Sequence, residues 1–573
     1  MSKQMMFMKA AKRLADCVKR NKQRCLSYAC IALVALFGLS VFFSSGYPSG
    51  DDVGYHAASV MGMVDNNVFD ILTGKINGYI ANDLGYGGGI FYPPLTHIAT
   101  TLIYKIVRMF GLDVFFAFKI FYFFVLFFAG IFMYELIRLI TRHEKAALFS
   151  GLFYITFPYV LSDILIRSAM AESAIFVFMP VVLMGVYYLL HDDYKKFLLC
   201  FVIGGVGMVH SHLVLTMFFT VVCVIGFLPR IKVFLKKRRI LYFCIGCIVI
   251  MLLSLPFLLP MLQNKLNVDY RVFEPGFMSS LKTVQEWRLS LDTLFSFDRP
   301  MKTVAGFMNI FGLCIIIYAI VRYRKIKTRD NVIFLWFAIV VSILCMLCTT
   351  TLFSWSKLPS VFLMIQFPWR LCSFVAFSSA ILLGFSLQYL DREVGESRDM
   401  LYILVGVACC FSVFRINNLV HPAQDLDQGQ LAYYPALDYL PTVTPSSLEY
   451  INTHTRMPIP NDGDVQISNV YSKTPDMSFD VVGVSNETKI VLPRLYYLGY
   501  IVEARYKDGT VEKLSYSMSE DGFIELSLNC DAYVLVSYSG TEVQKVSYMI
   551  AGATLIGLVF AWKVLGRREA NDG

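Results

Sequence analysis

The sequence predicts a polytopic α-helical membrane protein of about twelve spans with a small, β-rich, extracytoplasmic C-terminal domain. Of the 573 residues, 56% are hydrophobic and only 16% are charged, which is too apolar for a soluble protein of this length. The apolar runs are long and do not alternate with polar residues, which favours spanning helices over an outer-membrane barrel. The basic residues lie in short clusters between these runs, which is typical of topology signals and not of a nucleic-acid-binding face.

The first element is a basic N-terminal segment, residues 1–24, which is predicted to be cytoplasmic. The apolar run 25–43 predicts a helix that crosses to the outer side, and the absence of a clear cleavage site favours an uncleaved anchor over a signal peptide. Residues 44–113 then form a long first outer loop. Segment 95–110 of this loop contains basic residues, and a span there would place the next basic cluster outside, so we predict an amphipathic helix on the outer surface.

The remaining spans follow from the alternation of apolar runs with basic clusters, which all fall on the cytoplasmic side in this arrangement. They are predicted at residues 114–140, 146–161, 174–190, 197–209, 213–227, 240–262, 304–321, 332–352, 371–390, 401–413 and 548–564. Residues 25–414 thereby form a transmembrane domain. Residues 548–573 form a final helix and a tail, and both termini are predicted to be cytoplasmic.

Residues 415–547 are predicted to form a separate domain on the outer side. Short runs in its second half alternate apolar and polar residues, and turn signals such as Lys507-Asp508-Gly509 separate them. A period of two residues is typical of half-buried strands, so we expect a small antiparallel β-sandwich.

The first outer loop opens with two adjacent acids, Asp51 and Asp52, followed by His56. A carboxylate at the membrane surface can act as a general base toward a sugar hydroxyl, can hold a divalent metal ion, or can be a solvated loop acid, and spacing alone favours the last of these. The loop closes on glycines and aromatics that lead through Tyr92 into the surface helix. No predicted strand precedes these glycines and no Gly-Lys-Ser/Thr follows them, which excludes a nucleotide-type phosphate loop.

Ionisable or polar residues also lie at the outer ends of later spans. They are Arg167, Glu172, His210, His212, Gln366 and Arg370. Such groups are costly near a membrane unless they are paired or functional, and arginine matches the geometry of phosphate oxygens. For the arginines, the alternative to a substrate-binding role is an ion pair between Arg167 and Glu172 or snorkelling toward lipid headgroups. For the histidines, the alternative is that a turn this short needs polar residues in any case.

The order of these motifs resembles that of a bacterial membrane family named 6-pyruvoyl-tetrahydropterin synthase-related. The C-terminal stretch 492–500, with Asp508-Gly509 after it, resembles the end of YfhO-like proteins. Both groups are similar to the GT-C glycosyltransferases. The resemblance implies a GT-C-like transmembrane domain in a bacterial plasma membrane, an active site on the outer face and a polyprenyl-phosphate sugar donor.

By this resemblance, Asp52 is the expected catalytic acid, with Asp51 as its near competitor. The residues expected to bind substrate are His56, Tyr92, Arg167, Glu172, His210, His212, Arg271, Gln366 and Arg370. Because the two acids are adjacent and do not form a spaced DxD pair, dependence on a divalent metal is left open, and no other cofactor is expected. The expected partners are the lipid bilayer, a polyprenyl-phosphate-linked sugar, and a surface glycan or cell-wall polymer as acceptor, with no nucleic acid.

Two other classes of function compete with a transferase. A transporter or lipid flippase also commonly has about twelve spans, but here the charged residues gather at outer helix ends and no internal repeat is evident. Pro256 and Pro260 could break a span and keep this reading open. A non-catalytic membrane scaffold of envelope polymer assembly is the third reading.

Overall fold

The structure is a computed structural model, and it describes residues 21–43, 50, 52–277, 279–295, 310–326, 332–393, 398–420, 437–445 and 447–571. In these residues the chain is mostly helical, with strands confined to a region near the C-terminus. The α-helices in chain order are α1 (Lys22–Gly38), α2 (Val53–Met61), α3 (Val68–Thr73), α4 (Gly88–Phe91), α5 (Leu95–Val107), α6 (Val114–Thr141), α7 (Glu144–Ile155), α8 (Pro158–Leu165), α9 (Met170–Leu190), α10 (Tyr194–Ser211), α11 (Leu213–Phe227), α12 (Lys237–Asn267), α13 (Leu281–Glu286), α14 (Leu291–Phe295), α15 (Ile310–Val321), α16 (Tyr323–Ile326), α17 (Val332–Thr349), α18 (Cys372–Glu393), α19 (Arg398–Leu419), α20 (Leu448–Thr453) and α21 (Glu542–Asn571).

Many of these helices can cross a bilayer. Within the described ranges, 8 helical segments are long and apolar enough: Val114–Thr141, Met170–Leu190, Leu213–Phe234, Lys237–Asn267, Val332–Thr349, Pro368–Glu393, Asp399–Leu419 and Glu542–Lys563. The pair α7 and α8 adds one more if it is a single bent span, which gives up to 9. The chain is therefore a multi-pass membrane protein, but the predicted total of about twelve spans is not confirmed.

The difference in number has local causes. The predicted spans 25–43, 197–209 and 304–321 correspond to α1, α10 and α15, which lie outside the set that meets this length and hydropathy test; residues 304–309 lie outside the described part of the chain. The predicted span 146–161 is bent by 42° between α7 and α8. Pro158 begins α8, and the residue before a proline avoids helical geometry, as Phe157 does with ψ of 134°.

The predicted surface helix is present as α5. Its buried side chains, including His97, Thr100 and Tyr104, face the protein, whereas Ile106 is exposed. α5 packs against α2 and α6. The prediction of a helix in the first outer loop is thus confirmed, and its placement on a membrane surface stays a prediction.

The C-terminal domain consists of two antiparallel sheets. The strands are β1 (Ile459–Pro460), β2 (Gln466–Lys473), β3 (Asp476–Val482), β4 (Thr488–Leu495), β5 (Tyr500–Arg505), β6 (Val511–Leu514), β7 (Tyr516–Met518), β8 (Phe523–Leu528) and β9 (Ala532–Tyr538). The sheet orders are β1-β4-β8-β7 and β2-β3-β9-β5-β6. Buried residues alternate along β5 and β9, as predicted for half-buried strands. The β-rich domain is confirmed, and the strands all fall within the predicted range 415–547.

The β domain packs on the first loop. Leu495 N donates to Leu84 O at 2.8 Å, and the Tyr497 ring lies so close to Gly87 that a Cβ there would be 2.4 Å from a ring carbon. The ion pair Arg239–Asp192 (2.8 Å) joins two segments that were both predicted to be cytoplasmic, and Arg24–Glu135 (2.6 Å) joins the predicted cytoplasmic segment 1–24 to the last turns of the predicted span 114–140. Segments assigned to one side by their charge therefore meet one another in three dimensions.

Candidate functional site

A cavity of about 440 Å³ lies where the helix ends meet the first loop and the segment that precedes the β domain. Its volume is in the range of small-ligand sites. The predicted site residues that line it are Asp52, His56, Tyr92, Arg167, Glu172, His212, Gln366 and Arg370. Residues far apart in the sequence thus converge on one space.

Asp52 reaches this cavity because the chain passes very close to Arg167. A Cβ on Gly50 would lie 2.2 Å from Arg167 O, so only glycine allows the approach. Asp52 N donates to Arg167 O at 3.4 Å, and α2 begins at the next residue. The Asp52 carboxylate consequently lies 3.8 Å from the Arg167 guanidinium, from Oδ2 to Nη2.

Arg167 occupies the turn between α8 and α9. Its Nη1 donates to Asp163 Oδ1 at 2.5 Å and to Glu172 Oε2 at 2.8 Å, and all three side chains are buried. Ser168 closes the turn with φ of 55°, a conformation that is uncommon for a residue with a side chain. The ion pair between Arg167 and Glu172 is therefore present, within a larger network.

Arg370 lies in the short helical turn Pro368–Leu371 that precedes α18. Its Nε donates to Glu172 Oε2 at 3.2 Å, and its Nη1 donates to Gln366 Oε1 at 2.8 Å and to Ile365 O at 3.1 Å. Its Nη2 has no hydrogen-bond partner among the residues described. Glu172 thus holds two guanidiniums side by side, and each still has a donor group that it does not share with Glu172.

Aromatic rings fix the planes of the two guanidiniums. The Arg167 guanidinium lies 4.6 Å from the Trp369 ring centroid, and that of Arg370 lies 4.9 Å from Phe367. The rings of Phe367 and Trp369 are stacked at 5.0 Å. These contacts stabilise buried cations and reduce the conformational freedom of both side chains.

The environment of Asp52 suits a base. Its side chain is 46% accessible even though it lies in a protein cavity. Burial raises the pKa of this carboxyl above its ordinary value, while the charges of Arg167 and Arg370 lower it and that of Glu172 raises it. A carboxylate with a raised pKa accepts a proton more readily than one in water.

The histidines of the site are neutral. His56 Nδ1 lies 2.8 Å from His97 Nε2, and burial, with the charge of Arg167, lowers the pKa of His56 to about 3. Burial, with the charge of Arg370, likewise lowers the pKa of His212 to about 3. His212 Nδ1 accepts a hydrogen bond from Leu215 N and so caps α11. These rings shape the cavity and are poor proton acceptors near neutral pH.

Three predicted residues do not belong to the cavity as described. His210 is turned away from it and packs near Phe257. Arg271 donates through Nη2 to Thr444 O and through its backbone to Leu440 O, so it anchors the segment before the β domain. Asp51 lies outside the described residues.

Several residues of the site were not predicted. Asp163 is fully buried against Arg167, and its position inside an apolar run was a usable signal. His97 supports His56, but a lone histidine on a helix carries little information. Asp438 and Tyr439 line the cavity from the largely apolar stretch 431–445, in which Asp438 is the one charged residue.

A metal ion in this cavity would need several His, Cys, Asp or Glu side chains as ligands. In the parts of the chain that the structure covers, no group of three or more His, Cys, Asp and Glu side chains could hold one. Two guanidiniums beside Asp52 also oppose a divalent cation there.

No protein-family model matches the chain. An uncharacterized protein of Lactococcus lactis subsp. cremoris (strain MG1363) is 21% identical over 564 residues, which cover 87% of this chain and 88% of that protein. Among solved structures, the apo form of an Archaeoglobus fulgidus oligosaccharyltransferase aligns with a TM-score of 0.42 and 11% identity over 70% of this chain. The alignment covers 56% of that enzyme, so this chain spans little more than half of its length. Neither likeness assigns the chain to a family.

Proposed function

We propose that the chain is a membrane glycosyltransferase that moves a sugar from a polyprenyl phosphate to a hydroxyl of a cell-surface acceptor, on the outer face of the membrane. The observation that carries this proposal is the juxtaposition of Asp52 with Arg167 and Arg370 in one cavity at the ends of apolar helices. The carboxylate can accept a proton and the guanidiniums can bind phosphate. Both functions are needed for transfer from a phosphate-linked sugar.

The donor would bind on the arginine side. A phosphodiester carries one negative charge, and guanidinium groups present donors in a geometry that matches its oxygens. Leu213, Val214 and Met261 give the same cavity an apolar wall formed by residues of α11 and α12. A polyprenyl chain can leave along such a wall into hydrocarbon, which explains why a transferase of this kind is embedded in a membrane.

The reaction would be a single displacement at the anomeric carbon. The acceptor oxygen attacks from the face opposite the phosphate, its proton passes to Asp52, and the bond from the anomeric carbon to the phosphate oxygen breaks with its electron pair on the phosphate. The polyprenyl phosphate leaves with an additional negative charge beside Arg167 and Arg370. One such charge-assisted contact contributes about 2 to 4 kcal/mol to the transition state, and one displacement inverts the anomeric configuration.

Asp52 is favoured as the base over the nearby histidines. The pKa of His56 is lowered to about 3, whereas that of Asp52 is raised. Glu172 is buried and already accepts hydrogen bonds from both arginines, so it is a positioning residue. Asp163 is also a positioning residue, because it is buried and accepts a hydrogen bond from Arg167.

The test is sugar transfer by the purified full chain in lipid nanodiscs. The donors are labelled sugars on polyprenyl phosphates, and the acceptors are methyl glycosides and extracted envelope polymers. The proposal expects product that depends on donor and protein and has the inverted anomeric configuration. Retained configuration would contradict a single displacement. Movement of intact donor across the membrane of vesicles, with no cleavage, would favour a flippase. Absence of both transfer and movement with every donor would favour a scaffold.

A further inference from the structure

Asp438 lines the cavity in addition to Asp52 and Glu172. It lies in the segment 437–445, far from Asp52 in sequence. Its side chain forms no hydrogen bond or ion pair with any residue in the described ranges. Glu172 and Asp163, in contrast, are held by arginines. The Asp438 side chain is exposed and lines the cavity, so its oxygens can accept a hydrogen bond from a hydroxyl group that enters the cavity.

The segment that carries Asp438 is firmly held. Tyr439 N donates to Tyr86 Oη at 3.3 Å, and Tyr497 Oη donates to Tyr439 O at 2.9 Å. Arg271 N donates to Leu440 O at 3.1 Å. Asp438 therefore has a fixed position between the first loop and the β domain, as a binding residue requires.

Largely buried aromatic rings border the cavity around the segment that carries this carboxylate. The Tyr439 ring is stacked on Phe91 with centroids 5.3 Å apart, and the centroid of the Tyr86 ring lies 5.8 Å from that of Tyr439. All three residues line the cavity. Flat apolar rings next to a hydrogen-bond acceptor suit a molecule with both C–H faces and hydroxyl groups.

The charges divide the cavity into two sides. The arginines form ion pairs with Asp52 and Glu172, whereas Asp438 forms no ion pair with any described residue. Burial first, and then the charge of Asp52, raise the pKa of Asp438. An anionic phosphate is attracted to the arginine side and repelled from the side of Asp438, so the two substrates are separated by charge.

We propose that Asp438 binds the acceptor by accepting a hydrogen bond from a second hydroxyl, and thereby selects a polyhydroxylated sugar or polyol over a molecule with a single hydroxyl. Asp52 receives the proton of the reacting hydroxyl, and Asp438 orients the ring that carries it. This inference rests on the proposed glycosyl transfer. Asp438 is a binding residue for the acceptor and takes no proton in the reaction.

The experiment compares two acceptor probes of the same ring size with the full chain in nanodiscs. Methyl α-D-glucopyranoside offers several hydroxyls, and tetrahydropyran-2-methanol offers one. The wild type is expected to prefer the glucoside in kcat/KM. Asp438→Asn is expected to raise the KM for the glucoside about tenfold, the scale of one charge-assisted hydrogen bond, while the KM for donor and the rate with tetrahydropyran-2-methanol stay within about twofold.

The matched control is Asp269→Asn. Asp269 is exposed and does not line the cavity, and the backbone carbonyl that accepts from Thr442 N is retained in the variant. An unchanged glucoside KM in Asp438→Asn, or an equal rise for donor and acceptor, would overturn the role of Asp438 while leaving glycosyl transfer intact. Donor hydrolysis by the wild type without transfer to either probe would overturn the acceptor class. An absence of all donor turnover would remove the proposed function, and this inference with it.

Discussion

Arg370 Nε donates a hydrogen bond to Glu172 Oε2 at 3.2 Å, although the two residues are separated by 198 positions in the chain. The same carboxylate oxygen accepts from Arg167 Nη1 at 2.8 Å. Glu172 thus places two cations next to each other, against their mutual repulsion. Asp163 and Asp52 also pair with Arg167, so the two cations lie in a network of both signs whose shared contacts fix the positions of their side chains.

Glu172→Gln should destabilise the protein. Removing one member of a buried ion network leaves uncompensated charge, and the expected loss is about 3 kcal/mol. Tyr159→Phe is the matched control, because it removes the hydrogen bond that Tyr159 donates to the same carboxylate, worth about 1 kcal/mol, and leaves every charge in place. The measurement is the thermal unfolding midpoint of the purified chain. Equal midpoints for the two variants would contradict the assigned role of Glu172.

Arg370→Gln should impair the chemical step. The guanidinium that would stabilise the leaving phosphate is lost, and removal of one such donor lowers kcat by about a hundredfold. Arg288→Gln provides the control, since Arg288 donates to carbonyl groups outside the cavity. Steady-state kinetics with the donor panel gives the kcat of Arg370→Gln and of Arg288→Gln for comparison with the wild type. A kcat for Arg370→Gln within twofold of the wild type would show that this arginine does not face the developing charge.

The pH dependence should report Asp52. The base must be ionised, so kcat/KM falls as the pH decreases through its pKa, and burial places that midpoint above the ordinary aspartate value of about 3.9. Arg370 and Arg167 lower this pKa and Glu172 raises it. Removing the positive charge in Arg370→Gln should therefore move the acid limb to higher pH. A shift to lower pH, or none, would mean that another group controls the profile.

Gly50→Ala should reduce activity without touching an ionisable group. The new Cβ would lie 2.2 Å from Arg167 O and 2.7 Å from Ser168 Cβ, so the chain that carries Asp52 must move away. A displacement of about 1 Å at a reacting group can cost about a hundredfold in rate. Gly463→Ala is the control, because nothing lies within 4 Å of the added atom. Wild-type rates for Gly50→Ala would argue against a fixed Asp52.

Much of the site could be predicted because ionisable residues in apolar surroundings are conspicuous. Arg167, Glu172 and Arg370 were recognised in this way and Asp52 through the resemblance to GT-C glycosyltransferases, and all four line one cavity. Asp163 carried the same signal and was missed. Asp438 was also missed, although it is the one charged residue of the stretch 431–445, and the fold brings it to the cavity from far away in the chain.

The differences between the predictions and the structure also have physical causes. His210 and His212 lie two residues apart at a helix end, where neighbouring side chains point in different directions, so only His212 lines the cavity. The number of spans differs because α1, α10 and α15 do not meet the length and hydropathy test and because a bend at Pro158 divides one apolar run between α7 and α8. The β domain was easier, since alternation and turn residues are local signals.

The central claim is that Asp52 is the general base of a sugar transfer, and Asp52→Asn tests it most directly. The measurement is the rate of labelled sugar transfer in nanodiscs. Binding of geranylgeranyl phosphate is measured on the same preparations. Asp65→Asn, a substitution in the same loop, is the control. The account predicts that Asp52→Asn loses at least about a hundredfold in kcat while it binds the lipid phosphate, and that Asp65→Asn keeps its rate. Full activity of Asp52→Asn, with the protein folded and the donor bound, would contradict the account.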